Sequence, residues 1–197
     1  MGADKSKLHS EKWPSPEMRL FAGIGACLAV VQTAERALQS AIETVLDNPN
    51  ARLLEQSEPL RKQTLGDFLK KLKRRVNLPT QVKDKLYAFL KMRNQLVHDF
   101  SEIPGWNLRT EEGREAAELF LFELASAAIS ITGLCTAVFQ VWARDECDKE
   151  FFGEKFLEVQ SEETRQIVKL FEKQFGKLAR DILAARVGKE PIPKASS

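Results

Sequence analysis

The chain has 197 residues, of which 43% are hydrophobic and 29% are charged, and its formal net charge is only +2. This composition is typical of a folded globular domain, and it excludes a largely disordered chain or a collagen-like fibre. Three cysteines without a Cys-x-x-Cys pair and only two histidines argue against a disulfide framework and a histidine-rich metal centre. We therefore expect a cytoplasmic protein that needs no metal or other cofactor.

Helical periodicity and capping residues predict an all-α chain, a helical bundle of about five helices. The five predicted helices cover residues 16–46, 64–77, 79–100, 110–146 and 161–187. No segment alternates between apolar and polar residues as a strand would, so no sheet is expected. We assign residues 16–146 to the bundle and 147–187 to an additional C-terminal helical region packed on the same domain. Residues 1–15 and 188–197 are expected to be flexible tails.

The fourth predicted helix contains twenty consecutive uncharged residues, 124–143, which is the length needed to cross a bilayer. Serine, threonine, glycine and glutamine interrupt this stretch, and Glu123 and Arg144 bound it. We therefore predict a central helix of the bundle, buried on most sides, with no membrane span.

The third predicted helix carries an arginine within its apolar face. At about 100° per residue, Arg93 falls near the middle of that face, whose other members are Val82, Leu86, Phe89, Leu90, Leu96, Val97 and Phe100. A buried guanidinium is costly unless an anion meets it. The anion is either the phosphate of a ligand or a carboxylate of the chain, such as Asp67 or Glu118.

A neighbouring face of the same helix combines basic, aromatic and titratable groups. Its members lie within roughly 80° of one another, and they are Lys83, Tyr87, Lys91, Asn94 and His98. An imidazole exchanges a proton near neutral pH, and a guanidinium grips a phosphate through its planar fork. These are the groups that phosphodiester chemistry requires. The alternative for His98 is a histidine that complements the dipole of the helix C-terminus.

Positive charge is concentrated in residues 61–100, which hold eleven lysines and arginines against three acidic residues, or +8. The rest of the chain therefore carries −6. A compact basic cluster dominates the region and consists of Lys70, Lys71, Lys73, Arg74 and Arg75. Such a cluster attracts a polyanion such as RNA, although a solvated helix face is an equal alternative.

The segment Arg93-Asn94-Gln95-Leu96-Val97-His98 resembles the Arg-x4-6-His signature of the HEPN superfamily, and residues 64–69 look like the Thr-Leu-Gly segment of several HEPN groups. The resemblance covers roughly residues 16–146. It implies a helical bundle, a metal-independent endoribonuclease activity, and an active site between the two protomers of a homodimer. It also implies a role as a bacterial toxin of a toxin–antitoxin pair, or in phage defence, with an inhibitory protein partner.

Roles follow from this chemistry and from the resemblance. His98 would act as general base or acid, Arg93 as the phosphate clamp and Asn94 as a positioning group. Lys83, Tyr87, Lys91 and the basic cluster would bind RNA. Arg93 and His98 project roughly 140° apart on a straight helix, so one chain alone is expected to be poorly arranged.

Three further points remain open in the sequence. Phe100 replaces the tyrosine of the Arg-x4-His-x-Tyr subgroup, which excludes nucleotidylation at that position and makes membership of that subgroup doubtful. Trp106 either stacks on a base or anchors a loop by packing. The alternative function is a noncatalytic HEPN-like interaction or regulatory module, similar to the mannitol-operon repressor.

Overall fold

The computed structural model describes residues 15–42, 45, 66, 70, 77–145 and 161–185. Its four α-helices are α1 (Pro16–Ser40), α2 (Thr80–His98), α3 (Glu111–Asp145) and α4 (Glu162–Ala184), and a 3₁₀ turn follows α2 at Phe100–Glu102. No strand occurs in these ranges. The predicted all-helical bundle is confirmed, and the described ranges contain four α-helices, where about five were predicted for the whole chain. The predicted helix 64–77 and both predicted tails lie almost wholly outside the described residues, although Gly66 and Lys70 are helical.

Three of the four helices begin at hydroxyl residues that satisfy a free backbone amide of the first turn. The hydroxyl oxygens of Ser15 and Ser161 accept hydrogen bonds from the amides three residues later, each at 3.3 Å. Thr110 accepts in the same way from the amide of Gly113 at 3.1 Å. These caps explain why α1, α3 and α4 begin where the sequence predicts.

Helix α3 is the centre of the bundle. It packs in parallel with α1, because Arg114 lies 3.5 Å from Glu17 at one end of the pair, while Ala41 and Cys135 line a common groove at the other. Helix α4 packs on the second half of α3, where Arg144 pairs with Glu172 and Gly133 lies against Phe171 and Phe175. Within residues 124–143 only Ile129 is exposed, as predicted for a central helix.

Two helices, Pro16–Ser40 and Glu111–Arg144, are long and apolar enough to cross a membrane by length and composition alone. Buried residues make up 22% and 39% of their most apolar stretches. A core helix of a soluble protein and an N-terminal signal sequence pass the same test, so this property does not distinguish a span from a bundle helix.

Helix α2 buries one apolar face, formed by Val82, Leu86, Phe89 and Leu96, and part of this face lines a cavity together with residues of α1 and α3. Each such side chain contributes about 1.5–3 kcal/mol when removed from water. The prediction that Val97 and Phe100 belong to this face is wrong, because they are 39% and 42% exposed. The helix ends at His98, and Val97 and His98 in its last turn are exposed.

An aromatic stack supports the loop that leaves α2. The ring of Phe100 lies 5.3 Å from that of Trp106, which meets the edge of Phe120 at 6.1 Å. Trp106 is therefore a packing residue that fixes the loop to α3. Gly105 turns the chain at φ +74°, a conformation that glycine adopts without strain.

Candidate functional site

The site is a cluster of polar side chains around the guanidinium of Arg93. Its Nε donates a hydrogen bond to Oε1 of Glu35 at 2.7 Å. Its Nη1 donates to Oδ1 of Asn94 at 3.2 Å and lies 3.4 Å from Nε2 of His98. The structure thus brings together the three residues that the sequence assigned to catalysis, and it adds a carboxylate that the sequence did not identify.

The packing of α1 against α2 positions this cluster. Arg93 lies within the apolar face of α2, between the buried Phe89 and Leu96, and Glu35 directly follows the buried Ala34 of α1. The Arg93 and Glu35 side chains are 25% and 26% exposed. At this degree of burial each charged group has lost part of its hydration, and the opposite charge of its partner compensates for that loss.

Glu35 corrects the predicted partners of Arg93. Asp67 lies outside the described residues, and Glu118 is exposed on α3. The sequence nevertheless contains a signal for Glu35, because it is the first charged residue after the fifteen uncharged residues 20–34. A carboxylate at the edge of such an apolar helix face needs a cation, and Arg93 is a cation within another.

A second correction concerns the angle between Arg93 and His98. We expected the 140° separation to keep them apart within one chain, yet they are in contact. The long arginine side chain extends along α2 and meets the imidazole at the last residue of the helix. Because a guanidinium has no acceptor, the imidazole must accept this hydrogen bond through an unprotonated Nε2. His98 remains exposed to solvent.

The predicted basic and aromatic face of α2 is open to solvent. Tyr87, Lys91 and His98 are exposed, while Lys83 and Asn94 are half-buried. The face spans sixteen residues of helix, about 22 Å from the first to the last, and it ends at the Arg93 cluster. It has the length and charge to lie along several nucleotides of a single strand.

The basic cluster of residues 70–75 is only partly described. Lys70 is helical and exposed. Lys71, Lys73, Arg74 and Arg75 lie outside the described residues, so their approach to the Arg93 cluster stays a prediction.

No other group in the described ranges offers metal or thiol chemistry. No set of three histidine, cysteine, aspartate or glutamate side chains could hold a metal ion there. Burial raises the pKa of Cys27, and it raises the pKa of Cys135 to about 12. Both thiols are therefore neutral and non-nucleophilic at ordinary pH.

In chemical terms the cluster combines a fixed cation, an exposed imidazole whose Nε2 faces that cation, and an amide. These groups can bind a phosphate and move a proton, and Glu35 holds the cation in place. Comparisons with protein-family models, with curated proteins and with solved structures found no match to this chain.

Proposed function

We propose that this chain is a cytoplasmic, metal-independent endoribonuclease of HEPN type, which acts as a bacterial toxin or phage-defence effector. The observation that carries this proposal is the contact of 3.4 Å between Arg93 and the exposed His98, with Asn94 beside them. The Arg-x4-His resemblance links this arrangement to RNA cleavage, and the basic face of α2 gives RNA a surface to lie on.

The reaction uses the 2′-hydroxyl of the RNA as nucleophile. The 2′-oxygen forms a bond to phosphorus while the bond from phosphorus to the 5′-oxygen breaks, which leaves a 2′,3′-cyclic phosphate. A base accepts the 2′-hydroxyl proton, an acid gives a proton to the departing 5′-oxygen, and a cation stabilises the charge on the phosphoryl oxygens. His98 serves as base or acid and Arg93 as the cation, while Asn94 positions the guanidinium.

A homodimer supplies the second titratable group. In the described part of the chain His98 is the one histidine, and one imidazole does not act as base and acid at the same moment. Two copies related by a two-fold axis near α2 would place two His98 side chains in one cleft. The exposed position of His98 at the end of α2 is compatible with such a cleft.

Regulation follows from the same proposal. An uninhibited ribonuclease harms the cell that makes it, so an inhibitory protein partner is expected. Phe100 has no phenolic oxygen, so modification of that side chain by a nucleotidyltransferase is not the mode of control.

The second candidate is a noncatalytic HEPN-like interaction or regulatory module. The contact of 2.7 Å between Glu35 and Arg93 favours it, because the carboxylate neutralises the guanidinium that would bind phosphate. In this alternative the pair fastens α1 to α2, and His98 complements the helix dipole.

The deciding experiment incubates the purified chain with end-labelled RNA in EDTA. Wild type should produce cyclic-phosphate ends, while His98→Ala and Arg93→Ala should lose at least about a hundredfold in rate, the usual contribution of a general acid or base. His9→Ala is the matched control, since it removes the other histidine of the chain, and it should cleave like wild type. Specific activity should fall when the enzyme is diluted until the dimer dissociates.

Two results would decide against the ribonuclease. One is the absence of cleavage by a dimer that was produced without any inhibitor. The other is cleavage that persists in both His98→Ala and Arg93→Ala, which would indicate a contaminating enzyme. Either result leaves the noncatalytic module as the better account of the Glu35–Arg93 pair.

A further inference from the structure

Helix α3 carries a row of exposed apolar side chains, which we call the outer stripe. It consists of Leu119, Phe122 and Ile129, which are 60%, 70% and 53% exposed, with the half-buried Ser126 between them. The spacings of three, four and three residues place all four on one face of the helix. Single exposed apolar residues are common, whereas an aligned row forms a patch that marks an interaction surface.

Three glutamates of α3 flank the outer stripe. Glu115 lies one turn before Leu119, and Glu118 and Glu123 lie on opposite flanks of the stripe, all three exposed. Helix α3 has no lysine or arginine between Arg114 and Arg144. The stripe and its rim together therefore present an apolar line between carboxylates.

Beyond Ile129 the stripe continues into covered parts of the bundle. Gly133, four residues further, lies under the rings of Phe171 and Phe175 of α4. Thr136, seven residues beyond Ile129, lines a groove of about 210 Å³ between α1 and α3. The exposed part of the stripe, from Leu119 to Ile129, is therefore about 15 Å long, or nearly three turns of helix.

The charge around the outer stripe determines which kind of partner can bind there. Two copies of the stripe packed on each other would bring six glutamates together, and an anionic membrane surface would repel the same carboxylates. An amphipathic helix with apolar residues on one side and lysine or arginine on both flanks would satisfy the stripe and its rim at once. We propose that the outer stripe of α3 binds such a basic amphipathic helix of another protein. This inference does not depend on the proposed ribonuclease activity.

The test measures binding of two synthetic peptides of about 18 residues, which span the exposed stripe with about one turn of helix to spare at each end. Both place leucines at helical three-and-four spacing; one has lysine flanks and its twin has glutamate flanks. The full chain should bind the lysine peptide at least about tenfold tighter than the twin, a difference of about 1.4 kcal/mol. The triple variant Glu115→Lys, Glu118→Lys and Glu123→Lys should reverse this preference.

Single-residue variants identify the surface. Phe122→Ser should lose binding, whereas Ile167→Ser should keep it, because Ile167 is similarly exposed at 52% but lies on α4. Circular dichroism should show unchanged helix content in both. Equal binding of the two peptides, or no binding of either, would overturn the proposal.

A photo-crosslinking amino acid in place of Phe122 distinguishes the proposed partner of the outer stripe from the other candidates. With the lysine peptide present, crosslinks to the peptide support the proposal. Crosslinks to a second copy, or to the basic residues 61–77 of the same chain, would show a different occupant and reject it. Binding to anionic phospholipid vesicles that Phe122→Ser abolishes would reject it as well.

Discussion

Glu35 and Arg93, fifty-eight positions apart in the chain, are joined by a hydrogen bond of 2.7 Å between carboxylate and guanidinium. The bond uses Nε of Arg93, which directs Nη1 along α2 toward Asn94 and His98. One contact therefore fastens α1 to α2 and also orients the cation of the candidate site. The same carboxylate reduces the positive charge that a phosphate would meet there.

The Glu35–Arg93 pair should make a measurable contribution to stability. Both side chains are about three-quarters buried, so the coupling free energy should lie between that of surface and fully buried pairs, at about 1–2 kcal/mol. The measurement is a double-mutant cycle with Glu35→Gln, Arg93→Gln and both changes, each unfolded in urea. The matched surface cycle uses Glu162→Gln and Arg165→Gln, an exposed pair at 3.7 Å, and should give less than about 0.5 kcal/mol. Equal coupling in the two cycles would contradict the prediction.

The sequence predicts which residues form the candidate site better than it predicts how those residues are arranged in space. Arg93, Asn94 and His98 are identified because a guanidinium within an apolar face is costly and because the motif is local. Glu35 is missed because its contact depends on how α1 and α2 pack, which periodicity does not specify. The angle of 140° was misleading, since it describes where Cβ atoms point and not how far an arginine side chain extends.

The tautomer of His98 provides a test of the Arg93 contact. Since Nε2 accepts from the guanidinium, the neutral imidazole should carry its proton on Nδ1, whichever function the site has. Long-range ¹H–¹⁵N correlation spectra distinguish the two tautomers, and only His9 and His98 contribute signals.

The variant Arg93→Gln removes the guanidinium while it keeps a side chain of similar length, so the population of the Nδ1–H form should fall. His9 serves as the internal reference and should not respond. A wild-type His98 with its neutral proton on Nε2 would show that the contact is absent in solution.

Helix starts and helix ends differ in how well the sequence predicts them. Ser15, Thr110 and Ser161 determine starts through hydrogen bonds that span three residues, which is local information. The exposure of Val97 depends on where the neighbouring helices lie beside α2, which is tertiary information. Periodicity is local information, so the pattern of α3 indicates which face of the helix is buried in the core. It does not indicate whether the outer stripe binds a partner.

Replacement of either of two helical glycines by alanine should change the stability of the protein, in opposite directions at the two positions. A Cβ on Gly113 would overlap the backbone oxygen of Asn107, so Gly113→Ala should destabilise the protein by about 1–3 kcal/mol. A Cβ on Gly25 would meet nothing within 4 Å, so Gly25→Ala should stabilise α1 by about 0.5–1 kcal/mol. Urea unfolding of both variants and wild type measures the two changes. Stabilisation by Gly113→Ala would mean that the loop before α3 relaxes without cost.

The buried thiols should resist alkylation in the folded protein. Burial raises the pKa of Cys135 to about 12, so at pH 8 only about one molecule in ten thousand carries the reactive thiolate. The pKa of Cys27 is raised by burial as well, and its sulfur lies 3.6 Å from the carbonyl oxygen of Leu121.

Iodoacetamide at pH 8 followed by peptide mass spectrometry should therefore leave both Cys27 and Cys135 unmodified in buffer. In urea all three cysteines of the chain should react, because the exposed thiols return to their ordinary pKa. Alkylation of Cys135 in buffer at the rate found in urea would mean that α1 and α4 separate from α3 readily, since these two helices cover it.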